Sequence, residues 1–223
     1  MNLLFDLDGT LTNPFDGITK CISYALNRLG RKCPSGERLR WCIGPPLRDS
    51  FAKLLASDDA ALIEKAVALY RERFGAVGLF ENEVYDGIPK MLATLNKEGH
   101  TLYVATSKPT VFARKIIDHF GLQPFFKRIY GCELDGTRGD KTSLIAHILQ
   151  TESFAPSDAA MIGDREHDVI GAEENGMSGF GVLWGYGTKD ELQNSGARAF
   201  FKIPHEVVTA FNGQSNPSFQ RYY

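Results

Sequence analysis

The chain has 223 residues, of which 43% are hydrophobic and 23% charged, enough for one substantial core and a smaller second unit in a globular protein. A formal net charge of −2 leaves no basic footprint and argues against a nucleic-acid polymer as partner. Four widely spaced cysteines (Cys21, Cys33, Cys42, Cys132) and the lack of any apolar run of membrane length exclude a paired-cysteine metal site and a spanning helix, so free thiols and a cytoplasmic location are expected by elimination.

Leu3-Leu4-Phe5 is a short apolar run that ends in Asp6-Leu7-Asp8-Gly9-Thr10. This is the pattern of a buried strand that delivers two acids to its C-terminal edge, and it stops too early for a signal peptide. In an extended chain Asp6 and Asp8 share one face. Gly9 lets the backbone leave steeply, and the Thr10 hydroxyl can tie the turn. Carboxylates this close repel unless a cation or a shared proton relieves them, and a hard divalent ion, Mg²⁺ above all, suits them. An acidic surface turn is the alternative for this pentapeptide taken alone.

Residues 15 to 82 read as helices only, too long for one crossover. Stripes at Ile18, Ile22, Leu26, Leu29, at Leu47, Phe51, Leu54, Leu55, and at Ile63, Val67, Tyr70, Phe74 are broken by Gly30, Gly44-Pro45-Pro46 and Gly75. Hinges are expected near Asn13-Pro14 and Glu81-Asn82, which gives a discontinuous unit of residues 1–14 and 83–223 around a helical insertion of 15–82. Beyond it, helices are predicted at 87–98, at 110–120 burying Phe112, Ile116 and Phe120, and at 141–150 with Asp140 as N-cap. Strands are predicted near 2–6, 101–106, 127–131, 159–163 and 179–183. Thr188 to Glu191 reads as a capping box for a short helix. The tail from Asn212 to Tyr223 reads as disordered rather than as a docking motif. The alternation predicts an α/β fold: a doubly wound, mainly parallel five-stranded, Rossmann-like core with an inserted helical unit. Ligands of such sheets lie beyond the strand C-termini, where Asp6, Thr106 and Asp164 fall and which Lys141 follows.

The order of these segments resembles the four motifs of the haloacid-dehalogenase-like hydrolases: Asp6-Leu7-Asp8-Gly9-Thr10, then Leu102 to Lys108 with its hydroxyl at Thr106, then Lys141, then Gly163-Asp164 through Asp168. The resemblance spans Asn2 to about Phe211. It implies a Rossmann-like core with a small helical cap over the site. It also implies that Asp6 attacks phosphorus and forms an aspartyl-phosphate, and that Mg²⁺ is held by Asp6, the Asp8 carbonyl and Asp164. Lys141 and Thr106 would then bind the transferring oxygens, and Asp8 would protonate the leaving oxygen and later activate water. Asp168, Ser107 and Gly9 take supporting roles; His167, beside these acids, suits either a supporting or an exposed place.

Thr142 stands after Lys141 where the family often has Pro, and Leu11-Thr12-Asn13 follows the first motif where relatives often place Asp-Ser. The acid at Asp8 favours a phosphomonoesterase or a phosphomutase over a dehalogenase. Gly44 to Arg48, Thr106 to Pro109 and Trp184 to Gly187 look like those of phosphoglycolate phosphatases and of the related 5′-nucleotidase-like branch, and Leu134 to Arg138 leans toward the second. The expected activity is phosphoglycolate-phosphatase-like hydrolysis of a small phosphate monoester, with a 5′-nucleotidase acting on nucleoside monophosphates or a β-phosphoglucomutase-like phosphomutase as the alternatives. Arg48, after the Gly44-Pro45-Pro46 turn, is the candidate for reading the substrate's far end. A catalytically inert binding module would be expected to lack one of the charged motif residues, and none is missing. The expected partner is a small phosphorylated metabolite, met by a monomer or homodimer.

Overall fold

Runs that are apolar throughout become strands covered on both faces, and here they build a parallel sheet at the centre of the molecule. The computed structural model describes residues 1–212, so the expectation for the tail lies outside the described residues apart from Asn212. Its strands are β1 (Asn2–Phe5), β2 (Thr12–Asn13), β3 (Glu83–Val84), β4 (Thr101–Pro109), β5 (Arg128–Cys132), β6 (Ala159–Gly163), β7 (Ser178–Val182) and β8 (Phe200–Phe201). Its α-helices are α1 (Phe15–Arg28), α2 (Leu47–Leu55), α3 (Ala60–Arg73), α4 (Ile88–Lys97), α5 (Thr110–His119), α6 (Lys141–Glu152), α7 (Glu166–Glu174), α8 (Lys189–Asn194) and α9 (Pro204–Phe211).

The main sheet has the order β5-β4-β1-β6-β7-β8, and every pairing in it is parallel. It contains six strands rather than the expected five. The additional strand, β8, is a two-residue edge strand, too short to show any alternation in sequence. β1 lies in the middle, with Asn2 level with Thr101 on one side and Ala159 on the other. Alternation along the strands divides the core. Leu3, Phe5, Leu102, Val104 and Ile162 face one side, with α4, α5 and α9. Leu4, Tyr103, Ala105 and Met161 face the other, against Leu144, Ile145 and Ile148 of α6 and Ala172 of α7.

Several boundaries differ from expectation. β4 continues past Thr106 to Pro109, with an irregular register against β5 between Ala105 and Pro109. Helix α5 buries Ala113, Ile116 and Ile117, whereas Phe112 and Phe120 are only half-buried, because Phe112 turns toward the cavity described below. At α8 the Thr188 hydroxyl accepts from Glu191 N at 3.1 Å, as the sequence predicts, and the Glu191 carboxylate also accepts from Arg165 Nε at 2.7 Å.

Residues 15–78 are helical, as the stripes predict: α1, a 3₁₀ stretch at Gly36–Cys42, α2, α3, and one π-turn at Phe74–Gly78. Asp59 caps α3 by accepting from Ala61 N at 2.9 Å. The chain enters and leaves this insertion through β2 and β3, which pair antiparallel with Thr12 opposite Val84. That ribbon ties together the two points expected to act as hinges. All four cysteines are free thiols, and no helix among the described residues is long and apolar enough to cross a membrane.

Candidate active site

The C-terminal ends of β1, β4 and β6 gather the charged residues. Asp6 follows β1 directly, and its backbone N–H donates to Ile162 O at 3.0 Å, which holds it beside the end of β6. Asp164 follows β6 and is fully buried. Its two oxygens accept from Thr10 Oγ1 at 3.3 Å and from Tyr186 N at 2.8 Å. The first turn of α7 presents Asp168, which accepts from Arg165 N at 3.1 Å and so fixes the loop between the two acids. Gly9 closes over this group with φ +87°; a Cβ there would stand 2.2 Å from Asp164 Oδ2, so only glycine permits the approach.

Lys141, the first residue of α6, is buried beneath these acids. Its ammonium lies 2.9 Å from Asp6 Oδ1 and 2.6 Å from Asp168 Oδ1, and donates to Ala105 O at 2.7 Å. Burial works against its charge, but the carboxylates of Asp168 and Asp6 outweigh that and raise its pKa. Burial, followed by the like charges of Asp6 and Asp168, holds the Asp164 carboxyl well above the usual range. Burial likewise pushes Asp168 up, against the pull of Lys141.

Asp6, Asp164 and Asp168 each offer a carboxylate oxygen within 4.8 Å of the others. Three buried acids with one ammonium among them carry a surplus of negative charge, and no side-chain cation pairs with Asp164 among the described ion pairs. A hard divalent cation fits both the donor set and this imbalance. Asp168 thus joins Asp6 and Asp164 as a candidate ligand, while the Asp8 side chain lies outside the cluster.

Asp8 turns instead to Lys108, whose ammonium lies 2.7 Å from Oδ2 and 2.8 Å from Oδ1. Burial raises the Asp8 pKa, and Lys108 offsets part of the rise. The irregular register of β4 places Thr106, Ser107 and Lys108 along the same mouth, a common use of such a distortion. Lys108 also lies 4.7 Å from the centre of the Phe74 ring, which belongs to the helical insertion.

Above these groups lies a cavity of about 390 Å³. Its floor is Asp6, Asp8, Thr106, Ser107 and Lys108; the insertion contributes Pro45, Pro46, Leu47, Arg48, Tyr70, Arg71 and Phe74. Arg48 reaches this cavity but pairs with Glu64 of α3, Nε to Oε1 at 2.5 Å and Nη2 to Oε2 at 3.2 Å. Arg71 lines it too and donates to Leu134 O at 2.8 Å across the gap.

The family profile described as haloacid dehalogenase-like hydrolase matches residues 3–182. The chain belongs to the haloacid dehalogenase-like hydrolases. It is 54% identical over 192 residues to a 5′-nucleotidase of Pseudomonas aeruginosa, covering 86% of each chain. It is 39% identical over 193 residues to the tyrosine-protein kinase PtkA of Mycobacterium tuberculosis, covering 86% of this chain and 65% of that one. Among solved structures, a predicted phosphatase from Clostridium acetobutylicum matches with a TM-score of 0.90 at 42% identity, over 93% of this chain and 96% of the other.

Within this hydrolase fold, Asp6, Asp8, Thr106, Lys141, Asp164, Asp168, Ser107 and Gly9 all converge, whereas Arg48 stands across the cavity with its charge already matched. His167 is half-buried and is not one of the clustered candidate ligands. Sequence reasoning did not single out Lys108, Arg71 or Arg165. Lys108 carried a signal, since it stands two residues beyond Thr106 on the same strand edge.

Proposed function

We propose that this enzyme is a Mg²⁺-dependent phosphomonoesterase acting on nucleoside 5′-monophosphates through an aspartyl-phosphate on Asp6, with helices 15–82 serving as a cap on a core of 1–14 and 83–223. The observation that carries the reading is the pairing of Asp6 with Lys141 and of Asp8 with Lys108 at the floor of one cavity. Asp6 attacks in line; its oxygen bonds to phosphorus as the bond to the ester oxygen breaks. Asp8 gives that ester oxygen its proton, a role that suits a carboxyl raised by burial. Asp8 then takes a proton from water, and the hydroxide displaces Asp6 from phosphorus to release inorganic phosphate. Lys141 steadies the equatorial oxygens by charge and Thr106 by its hydroxyl. Asp6, Asp164 and Asp168, with the Asp8 carbonyl, would hold Mg²⁺, which when bound screens the dianionic phosphoryl group from the attacking carboxylate.

Cavity volume favours a nucleotide over a two-carbon phosphate. About 390 Å³ falls within the roughly 300–1,000 Å³ range of pockets that enclose drug-sized ligands. Tyr70, Phe74 and Phe112 supply apolar wall for a base or ribose. Arg48, neutralised by Glu64, is a weaker clamp for a second anion such as the carboxylate of phosphoglycolate. The test is Mg²⁺-dependent phosphate release from nucleoside monophosphates, phosphoglycolate and sugar phosphates side by side. Nucleoside monophosphates should have the highest kcat/KM. A preference for phosphoglycolate would overturn the substrate assignment, and no release from any of them the phosphatase reading.

A further inference from the structure

Arg165 is the residue between the two acids of the fourth motif that reaches out of the core. Its backbone N–H is tied to Asp168 Oδ2 at 3.1 Å, so its position follows the acid cluster. The side chain then crosses to the insertion, where Nη1 donates to Ile43 O at 2.5 Å. On the way, Nε donates to Glu191 Oε1 at 2.7 Å, an oxygen that also accepts from Glu166 N at 3.0 Å. Glu191 is thereby held at two points and steers the guanidinium. Gly44 sits against the alkyl stem: its φ is +106°, and a Cβ there would lie 2.8 Å from Arg165 Cγ. Gly44, Pro45 and Pro46 form part of the cavity wall.

We propose that Arg165 is a clasp, a positioning residue that docks the insertion loop 43–46 onto the loop carrying Asp164 and Asp168 and so sets how closely that wall covers a bound substrate. A bare ion pair with Glu191 would need only Nε. The second bond, to a carbonyl 122 residues earlier, is what joins the two parts of the molecule. A planar guanidinium can serve both acceptors at once in fixed directions, whereas a lysine ammonium on a flexible stem offers no such fork. The glycine at 44 lets the stem lie flat against the loop, which adds packing to the hydrogen bond.

The kinetic part of the test rests on the phosphatase reading; the exchange part does not. Arg165→Met and Arg165→Lys are compared with the parent, all as full-length protein, by amide hydrogen exchange and by steady-state kinetics. Exchange in residues 41–47 should quicken about tenfold or more in both variants, while β1 and β6 keep their protection. KM for a nucleoside monophosphate should rise about tenfold with kcat within about threefold, and an aryl phosphate, too small to need the wall, should change little. Parent-like exchange at 41–47 in folded Arg165→Met overturns the clasp. So does faster exchange spread evenly through β1 and β6, which would make Arg165 a support of the core alone. If no phosphate ester is turned over by any of the proteins, the phosphatase reading fails and the exchange result still decides the clasp.

Discussion

Asp6 and Asp8 are two residues apart, yet each has its own lysine: Lys141 at 2.9 Å for Asp6 and Lys108 at 2.7 Å for Asp8. That separation lets two neighbouring carboxyls take different tasks: Lys141 fixes Asp6 in place, while burial of Asp8 raises its pKa and suits a proton donor. Asp6→Asn keeps the shape and removes the proposed nucleophile, so turnover should fall by roughly a thousandfold or more while circular dichroism is unchanged. Activity within a few-fold of the parent would rule out the covalent route. The acids were legible in sequence because each lies in a short local pattern, an apolar run followed by Asp and Gly. Lys108, Arg71 and Arg165 were not, because their meaning lies in partners far along the chain: Asp8 at a distance of 100 residues, Leu134 at 63 and Ile43 at 122. Arg48 shows the converse. Its place after a rigid turn was readable, but Glu64, which occupies its guanidinium, sits on another helix.

At the scale of elements, strand interiors were readable and strand edges were not. β6 falls where its apolar run places it, whereas β8 and the β2–β3 ribbon are two residues each and owe their existence to neighbours already in place. Glu152, at the end of α6, has no sequence signature but joins three elements. Its buried carboxylate accepts from Tyr130 Oη at 2.6 Å and Tyr103 Oη at 3.1 Å, and pairs with Lys127 at 2.7 Å and Arg128 at 3.3 Å. The two cations are half-exposed, so most of the worth lies in the tyrosine hydrogen bonds to a charged acceptor. Glu152→Gln removes the charge at nearly constant volume. It should cost about 1–3 kcal/mol, a fall in Tm of roughly 2–12 °C for a chain of this size. Because Glu152 ties the N-terminal halves of β4 and β5, away from the acids at the strand C-termini, kcat at a temperature well below Tm should match the parent. A kcat that falls with no change in Tm would assign Glu152 to the chemistry instead.

Over the whole molecule, one buried apolar cluster runs from Leu3 and Phe5 of the sheet through Leu7 and Leu11 to Ile18, Phe51, Tyr70 and Phe74 of the insertion. Length and composition indicated one core with a smaller unit beside it, but a count of apolar residues does not say that the two share a boundary. The cavity lies along that boundary, and Asp6 on its floor belongs to a cluster of like charge with Asp164 and Asp168, all buried, with Lys141 as the ammonium among them. Such a site costs stability when it holds no cation, and a cation that binds only the folded form returns it. At a hundredfold excess over its Kd, Mg²⁺ should add about 2.7 kcal/mol, which corresponds to a rise in Tm of roughly 5–10 °C for a chain of this length. Asp164→Asn removes one of the three acids and leaves an amide oxygen that can still accept from Tyr186 N, with its NH2 beside the Thr10 hydroxyl, which can turn to accept. In chelator, that variant should therefore melt at or above the parent temperature, and added Mg²⁺ should move it by less than about 2 °C. Thermal melts of both proteins, with chelator and with Mg²⁺, check the two signs together. A parent protein whose Tm ignores Mg²⁺, or an Asp164→Asn protein that responds as the parent does, would remove the three acids from the role of metal site.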